Sequence, residues 1–163
     1  MTASFRRAGP EDAVALRDLE RAASLAALGH VFPAERYPYP AGDVLARWHL
    51  VLADPETTVD VVDGDTGLAC GVAYDVHASV RQLAVSPERW GEGLGRLALE
   101  RAVGALRDAD AGEVRLWCLA ENTRARVVYE HLGWRVTGAE QPAPWPPYPT
   151  EVEYLLTPPR LAP

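Results

Sequence analysis

The chain has 163 residues, of which 48% are hydrophobic and 24% are charged, values typical of one soluble globular domain. Its net charge of -7 argues against nucleic-acid binding and weakly favours a cationic small molecule or basic peptide as partner, although acidity that merely aids solubility gives the same value. No apolar run approaches the roughly 20 residues of a membrane helix, and no secretory signal core is present, so we expect no membrane contact and a cytoplasmic location.

The lysine and cysteine content limits the chemistry that the chain can perform. The chain contains no lysine. A P-loop needs a lysine on the nucleotide phosphates, and Schiff-base catalysis needs a lysine nucleophile, so both are excluded. Cys70 and Cys118 each lie in an apolar run that predicts a strand, which favours buried free thiols over a disulfide.

Hydrophobic periodicity and turn residues predict the element order β-α-α-β-β-β-α-β-α-β-β. Before a glycine-rich turn at 91–95, the predicted elements are a strand at 4–8, a helix from 10, a loop at 30–40, a helix at 43–53, and strands at 57–62, 68–76 and 80–85. After that turn come a helix, a strand at 114–119, a helix at 122–132, a strand from 134, a loop at 141–149, a strand at 152–156, and a tail at 158–163 that we expect to fray. This order predicts one α/β domain over residues 1–163, built on a mixed sheet with helices on both faces.

The most specific feature is the glycine-rich turn between a predicted strand and a predicted helix. Gly91, Gly93 and Gly95 alternate in it, and Arg96 follows in the first helical turn. A helix N-terminus offers unpaired N–H groups and partial positive charge, and glycines let a phosphate approach the backbone closely. Because three glycines exceed what a tight turn needs, we predict a pyrophosphate site; the spacing differs from the G-x-G-x-x-G of dinucleotide-binding folds.

A second feature is the predicted helix after Glu121. Asn122 is a favourable N-cap, and Tyr129 lies two turns further along nearly the same side of the helix. Taken alone, this pattern favours a capping asparagine and a tyrosine of the core.

Together the two segments resemble the GNAT superfamily of N-acetyltransferases. Residues 83–96 resemble its acyl-CoA motif, Leu-x-Val-x-Pro-x-x-(Arg/Gln)-Gly-x-Gly-x-(Gly/Ala), and residues 122–134 resemble its motif Asn-x-x-Ala-x-x-x-Tyr-x-x-x-Gly-(Phe/Trp). The resemblance implies a mostly antiparallel sheet of six to seven strands, about four helices, and strands that splay apart at the CoA site.

The resemblance also implies a function. The chain would transfer the acetyl group of acetyl-CoA to a primary amine of a small molecule or peptide by direct attack, without an acyl-enzyme and without a metal. Tyr129 would be the general acid, with Asn122 beside it in the catalytic site. The residues implied to bind the cofactor are Leu83, Ala84, Val85, Trp90, Gly91, Glu92, Gly93, Leu94, Gly95, Arg96, Asn122, Ala125 and Tyr129.

The sequence departs from the family pattern at two places. Trp90 stands where the motif has arginine or glutamine, a position that contributes largely through its backbone N–H. In addition, residues 78–82 contain no carboxylate, whereas many relatives carry a glutamate there as general base. The base is therefore open among Asp75, His77, Glu35 and Glu151.

The two loops at 30–40 and 141–149 share an unusual content of proline and aromatic residues. We expect them to face each other across the acceptor site, although stiffened surface loops would have the same composition. The predicted substrate-binding residues are Phe32, Glu35, Tyr37, Trp145 and Tyr148. A non-catalytic acyl-CoA-binding or regulatory module, a nucleotide-binding domain without CoA specificity, and a homodimer all remain open.

Overall fold

The computed structural model describes residues 2–157, which form seven strands and four α-helices. In chain order these are β1 (Phe5–Arg7), α1 (Ala13–Ala27), α2 (Ala41–Ala53), β2 (Thr57–Gly64), β3 (Gly67–Asp75), β4 (Ser79–Val85), α3 (Leu94–Asp108), β5 (Val114–Leu119), α4 (Thr123–His131), β6 (Arg135–Pro142) and β7 (Thr150–Leu156). The predicted element order is confirmed. The tail at 158–163, for which we expected fraying, lies outside the described residues.

Some element boundaries differ from the sequence prediction. Pro10–Asp12 forms a short 3-10 turn, so the α-helix starts only at Ala13. The carboxylate of Asp12 accepts the backbone N–H of Gly9 at 2.8 Å, which fixes this turn separately from the helix. At the other end of the chain, β6 continues into the predicted loop as far as Pro142, because its pairing with β7 extends to Thr150.

The seven strands form one sheet in the order β1-β2-β3-β4-β5-β7-β6. Every neighbouring pair is antiparallel except β4 and β5, which are parallel, so the predicted mixed, mostly antiparallel sheet is confirmed. These two strands pair only through Ser79 with Arg115 and Val80 with Leu116. Beyond those pairs β4 stays bonded to β3 and β5 to β7, so the sheet opens between them.

Helices cover both faces of the sheet. On one face, α1 and α2 pack on β2 and β3 through a buried cluster that includes Leu16, Leu19, Val44, Trp48, Val59, Val61 and Ala73. On the other face, α3 packs on β3 and β4. One buried cluster there joins α3 to β3, β5 and β7, with members that include Leu94, Ala98, Leu99, Ala102, Leu106, Val72, Leu116 and Tyr154, and Ala125 and Tyr129 of α4 pack against it. No helix among residues 2–157 is long and apolar enough to span a membrane.

A β-bulge in β4 changes which side chains face which helices. The register with β3 passes from Tyr74 opposite Val80 to Ala73 opposite Gln82, so Arg81 is the additional residue. Val80 therefore belongs to the cluster under α3, whereas Ala84, four residues later, packs against the cluster under α1 and α2. Gln82 shares the face of Ala84, because side chains two residues apart point the same way. Bulges of this kind redirect side chains next to functional sites.

Candidate active site

The opening between β4 and β5 leads into a cavity of about 1420 Å³. Its walls come from the second half of β4, the end of β5, the first turns of α3 and α4, and both proline-aromatic loops. Twelve of the predicted cofactor-binding residues line it: Leu83, Ala84, Val85, Trp90, Gly91, Gly93, Leu94, Gly95, Arg96, Asn122, Ala125 and Tyr129. Glu92 is not among the lining residues, and its carboxylate pairs with Arg89 instead.

The glycine-rich turn has a backbone that only glycine adopts readily. Gly91 and Gly93 have φ angles of 85° and 82°, in the left-handed region. Gly93 is the N-cap of α3 and has no side chain to accept the first helical N–H groups. A Cβ atom built on either glycine would meet nothing within 4 Å, so the space outside the turn is open. The turn therefore presents unpaired N–H groups and the positive end of a helix dipole to the cavity.

Trp90 joins the end of β4 to this turn. Its indole N–H donates to the carbonyl oxygen of Val85 over 2.9 Å, and the guanidinium of Arg124 stacks 4.1 Å from its ring centroid. Arg124 lies in the first turn of α4 and lines the cavity. Arg96 pairs with Glu100 at 3.3 Å, whereas no carboxylate of the described residues lies within 4 Å of Arg124. Arg124 is thus a cation of the cavity wall that the sequence analysis missed.

Tyr129 and Asn122 take the positions predicted from their helix. The Asn122 side chain accepts the N–H of Ala125 at 3.2 Å, so it is the N-cap of α4. The Tyr129 ring packs against Trp134 and Tyr154, with centroids 6.2 Å and 5.7 Å away. Within residues 2–157 its hydroxyl has no hydrogen-bond partner, and burial raises its pKa above the ordinary tyrosine value. The hydroxyl is therefore protonated at neutral pH and available as a proton donor.

The cysteines are poor nucleophiles. Both are buried free thiols, as predicted. Burial raises the pKa of Cys70 to about 12 and that of Cys118 to about 12, so neither forms the reactive thiolate at neutral pH. An acyl-enzyme on either residue is not supported.

Of the four carboxylate and histidine candidates for the base, only Glu151 lines the cavity. Its Oε2 accepts from the Gln141 side-chain amide at 2.8 Å, and its Oε1 has no partner among the described residues. Asp75 is buried elsewhere against Arg81, at 3.0 Å. The ring of His77 faces the exposed carboxylate of Glu56, and Glu35 is exposed outside the cavity wall.

Glu151 and Tyr129 approach the opening from opposite faces of the sheet. Cys118 pairs with Val152, and both belong to the cluster that α3 and α4 cover. Glu151 pairs with Leu119, one residue further along, so its side chain points to the face covered by α1 and α2. The cavity thus has a phenol on one face and a carboxylate on the other.

The two aromatic loops line the same cavity as the Leu83–Val85 segment. Phe32 and Tyr37 of the first loop and Trp145 of the second belong to the wall, whereas Tyr148, like Glu35, does not. Trp145 and Ala84 pack against the same core cluster, so the second loop and β4 both border the face covered by α1 and α2.

The sequence analysis missed a polar group on this side, centred on Glu20. The carboxylate oxygen Oε2 of Glu20 accepts from Arg47 and from the Trp48 indole N–H, the latter at 2.8 Å. Both Glu20 and Arg47 line the cavity. The sequence contains one indication of this polar group. Glu20 is four residues after the buried Leu16, so its side chain lies beside the buried face of α1.

Comparisons with known proteins agree with this fold and site. The model of the acetyltransferase (GNAT) family matches residues 16–134, so the chain belongs to the GNAT family. A mycothiol acetyltransferase from Beutenbergia cavernae is 37% identical over 76 residues, which are 44% of this chain and 26% of that protein. The chain therefore spans about a quarter of the length of that curated relative.

Two solved structures show how far the fold is shared. The PaiA N-acetyltransferase from Thermoplasma acidophilum, in complex with coenzyme A, superposes with a TM-score of 0.73 at 15% identity, covering 96% of this chain and 99% of that one. A GCN5-related N-acetyltransferase from Rhodopseudomonas palustris gives a TM-score of 0.82 at 12% identity, with 96% of each chain covered. At these identities the likeness establishes the fold alone.

Proposed function

We propose that the chain is an N-acetyltransferase that moves the acetyl group of acetyl-CoA to a primary amine. One observation carries this proposal: the opening between β4 and β5 holds, in one cavity, an open, glycine-lined helix N-terminus and a tyrosine hydroxyl that has no hydrogen-bond partner among residues 2–157. The first suits a pyrophosphate, and the second suits a leaving thiolate. Family membership supports the same reading.

The cavity wall fits coenzyme A. The turn at 91–96 would hold the pyrophosphate through its N–H groups, with Arg124 adding a cation. The edge of β4 that turns away from β5, formed by Leu83, Ala84 and Val85, would pair with the pantetheine amides as an added strand. Bound there, acetyl-CoA supplies an activated acyl thioester.

Side chains of the protein would then carry out two proton transfers, one from the amine and one to the leaving sulfur. A free alkyl amine has a pKa of about 10 and is mostly charged at neutral pH, so it must lose a proton before attack. We assign that proton to Glu151, because it alone of the four candidates from the sequence lines the cavity and Gln141 orients it. As the C–N bond forms and the C–S bond breaks, Tyr129 donates its proton to the leaving sulfur, and a backbone N–H of β4 polarises the carbonyl.

The acceptor would enter from the face covered by α1 and α2. Glu151, Gln82 and the two aromatic loops all lie on that side, opposite Tyr129. An amine from one face and a departing thiolate on the other match direct transfer without an acyl-enzyme. The Beutenbergia cavernae relative is named an acetyltransferase, which supports acetyl transfer in general.

A second candidate is a non-catalytic acyl-CoA-binding or regulatory module on the same fold. The absence of a carboxylate at 78–82 favours it. Release of free thiol from acetyl-CoA, measured with a broad panel of amines, separates the two candidates. Acetylated amine formed in equal amount to free thiol supports the transferase, whereas calorimetric CoA binding without turnover supports the module. Displacement of CoA by ATP would instead indicate a nucleotide site.

A further inference from the structure

The two ends of β4 direct their peptide groups by different patterns. Near the start of the strand, the carbonyl oxygen of Ala78 accepts the backbone N–H of Arg115 in β5 at 2.9 Å. Peptide groups two residues apart in a strand point to the same edge, so the N–H and C=O of Val80 also point towards β5. Continued alternation would point the peptide groups of Gln82 and Ala84 into the opening between β4 and β5.

At the far end of β4 the pattern is reversed. There the backbone N–H of Ser86 donates to the carbonyl oxygen of Ala69 in β3 at 2.9 Å. Two residues before Ser86, the peptide group of Ala84 therefore points towards β3, and those of Leu83 and Val85 point away from β3. Since β5 pairs with β4 only at residues 79 and 80, the N–H groups of Leu83 and Val85 face the opening.

The β-bulge at Arg81 causes this reversal. Arg81 is the additional residue between the pairs that Val80 and Gln82 form with β3, and one additional residue shifts the alternation by one. The proposed function assigns pantetheine to this edge of β4. The bulge therefore decides which N–H groups the pantetheine amides meet, namely those of Leu83 and Val85 rather than those of their neighbours.

The carboxylate of Asp75 binds both the bulge residue and the turn that leads to it. Its Oδ2 accepts from the Arg81 guanidinium at 3.0 Å. Its Oδ1 accepts the backbone N–H of His77 at 2.9 Å and the more distant one of Ser79 at 3.4 Å. Asp75 is the last residue of β3, is only 5% exposed and does not line the cavity. One buried carboxylate thus joins β3, the turn and the bulge, and burial protects its ion pair from screening by salt.

We propose that Asp75 is a positioning residue for the cofactor. Its ion pair with Arg81 keeps the bulge at that position, so that Leu83 and Val85 present their N–H groups to pantetheine. The proposal rests on the cofactor half of the proposed function. Without the ion pair, β4 can slip by one residue, which reverses the direction of every later peptide group. The glycine turn, which precedes α3, keeps its own geometry, so the loss is confined to the pantetheine edge.

The first test separates the two halves of CoA by titration calorimetry. The ligands are CoA and 3′-phospho-ADP, which keeps the pyrophosphate but lacks pantetheine. Asp75→Asn should raise the Kd for CoA by about tenfold and change that for 3′-phospho-ADP by less than about twofold. The control is Arg115→Gln, because Arg115 is ion-paired, is 46% exposed against 49% for Arg81, and lies outside the cavity wall. It should change neither Kd.

A double-mutant cycle tests whether Asp75 acts through Arg81. Asp75→Asn and Arg81→Gln combined should raise the Kd for CoA no more than either change alone, because both break the same ion pair. Arg81→Lys keeps the cation and should recover part of the affinity. If Asp75→Asn fails to fold, Arg81→Gln and Arg81→Lys carry the comparison, since the Arg81 side chain is half exposed. Additive effects of the two changes would contradict action through the ion pair.

Amide exchange followed by NMR tests the backbone pattern without any cofactor. In the wild type, the N–H groups of Leu83 and Val85 should exchange with solvent faster than those of Gln82 and Ala84, and Asp75→Asn should remove this contrast. An unchanged contrast in the variant, or equal weakening of CoA and 3′-phospho-ADP, would overturn the positioning role while leaving acetyl transfer intact. A wild type that binds neither ligand would instead overturn the proposed function.

Discussion

The indole N–H of Trp90 is hydrogen-bonded to the carbonyl oxygen of Val85 across 2.9 Å, at the point where β4 ends and the glycine turn approaches. The GNAT motif has arginine or glutamine at this position, whereas this chain has a tryptophan. Because Arg124 stacks on the same ring, the contact links β4, the turn and α4. Trp90, at which the sequence departs from the motif, thus connects the three elements that border the proposed cofactor site.

Trp90→Phe keeps an aromatic ring under Arg124 but removes the N–H donor. We expect the free energy of unfolding to fall by about 1 kcal/mol, the typical net contribution of one hydrogen bond. Trp90→Leu should lower the free energy of unfolding further, because this variant also loses a cation–π contact of about 0.5–1 kcal/mol. Denaturant unfolding of wild type, Trp90→Phe and Trp90→Leu measures both losses of stability. Equal stability of wild type and both variants would mean that the link contributes nothing.

Gly93→Asp should weaken CoA binding by at least about tenfold, about 1.4 kcal/mol, because it places a carboxylate at the phosphate site. The control is Gly93→Asn, which has nearly the same shape, tolerates the positive φ better than most residues and carries no charge. Titration calorimetry with CoA gives both dissociation constants. If the aspartate variant binds as tightly as the asparagine variant, the phosphates do not lie at this turn.

Arg124→Gln should raise the Kd for CoA and make binding less dependent on salt, because a cation near the phosphates is lost. We expect a change of roughly 10- to 150-fold, from the about 1.5–3 kcal/mol typical of hydrogen bonds to charged groups. Arg107→Gln removes an exposed arginine near the far end of α3, away from the cavity wall, and serves as the control. Identical salt dependence in both variants would show that Arg124 only stacks on Trp90.

Tyr129→Phe should lower kcat by about 10²–10⁴-fold, the usual contribution of a general acid, with acetyl-CoA binding nearly unchanged. Folding should be unaffected, since the hydroxyl has no partner within the described part of the chain. Tyr154→Phe is the matched control: its hydroxyl bonds Arg126 and Glu130, each at 2.8 Å, but it does not line the cavity. That variant should lose stability rather than activity. A kcat for Tyr129→Phe within a factor of about two of wild type would assign Tyr129 to packing only.

Glu151→Gln tests the base. We expect kcat to fall by about 10²-fold at neutral pH and to recover partly as the pH approaches the acceptor's own pKa, because the amine then loses its proton to solvent. Glu35→Gln, outside the cavity wall, should behave as wild type across the same pH range. A Glu151→Gln variant that changes only the acceptor KM would make this carboxylate a binding group.

The parts of the site that sequence predicts are those with local signals. The glycine turn, the Asn122 cap and the position of Tyr129 follow from spacing within a few residues, and the structure has all three. Arg124 carries no such signal, because its stacking on Trp90 depends on how α4 meets the turn. The face of Gln82 could not be predicted either: simple alternation places it with Val80, and the bulge at Arg81 reverses that.

The most direct test of acetyl transfer combines two readouts in reactions of acetyl-CoA with each primary amine of the panel. We predict that, for the amine that is accepted, free thiol and N-acetylated amine, followed by absorbance and mass spectrometry, appear in equal amounts. The protein should gain no acetyl group at Cys70 or Cys118 at any time. Stable CoA binding without thiol release from any amine of the panel, or an acetylated cysteine that forms and decays at the rate of turnover, would contradict direct transfer by this site.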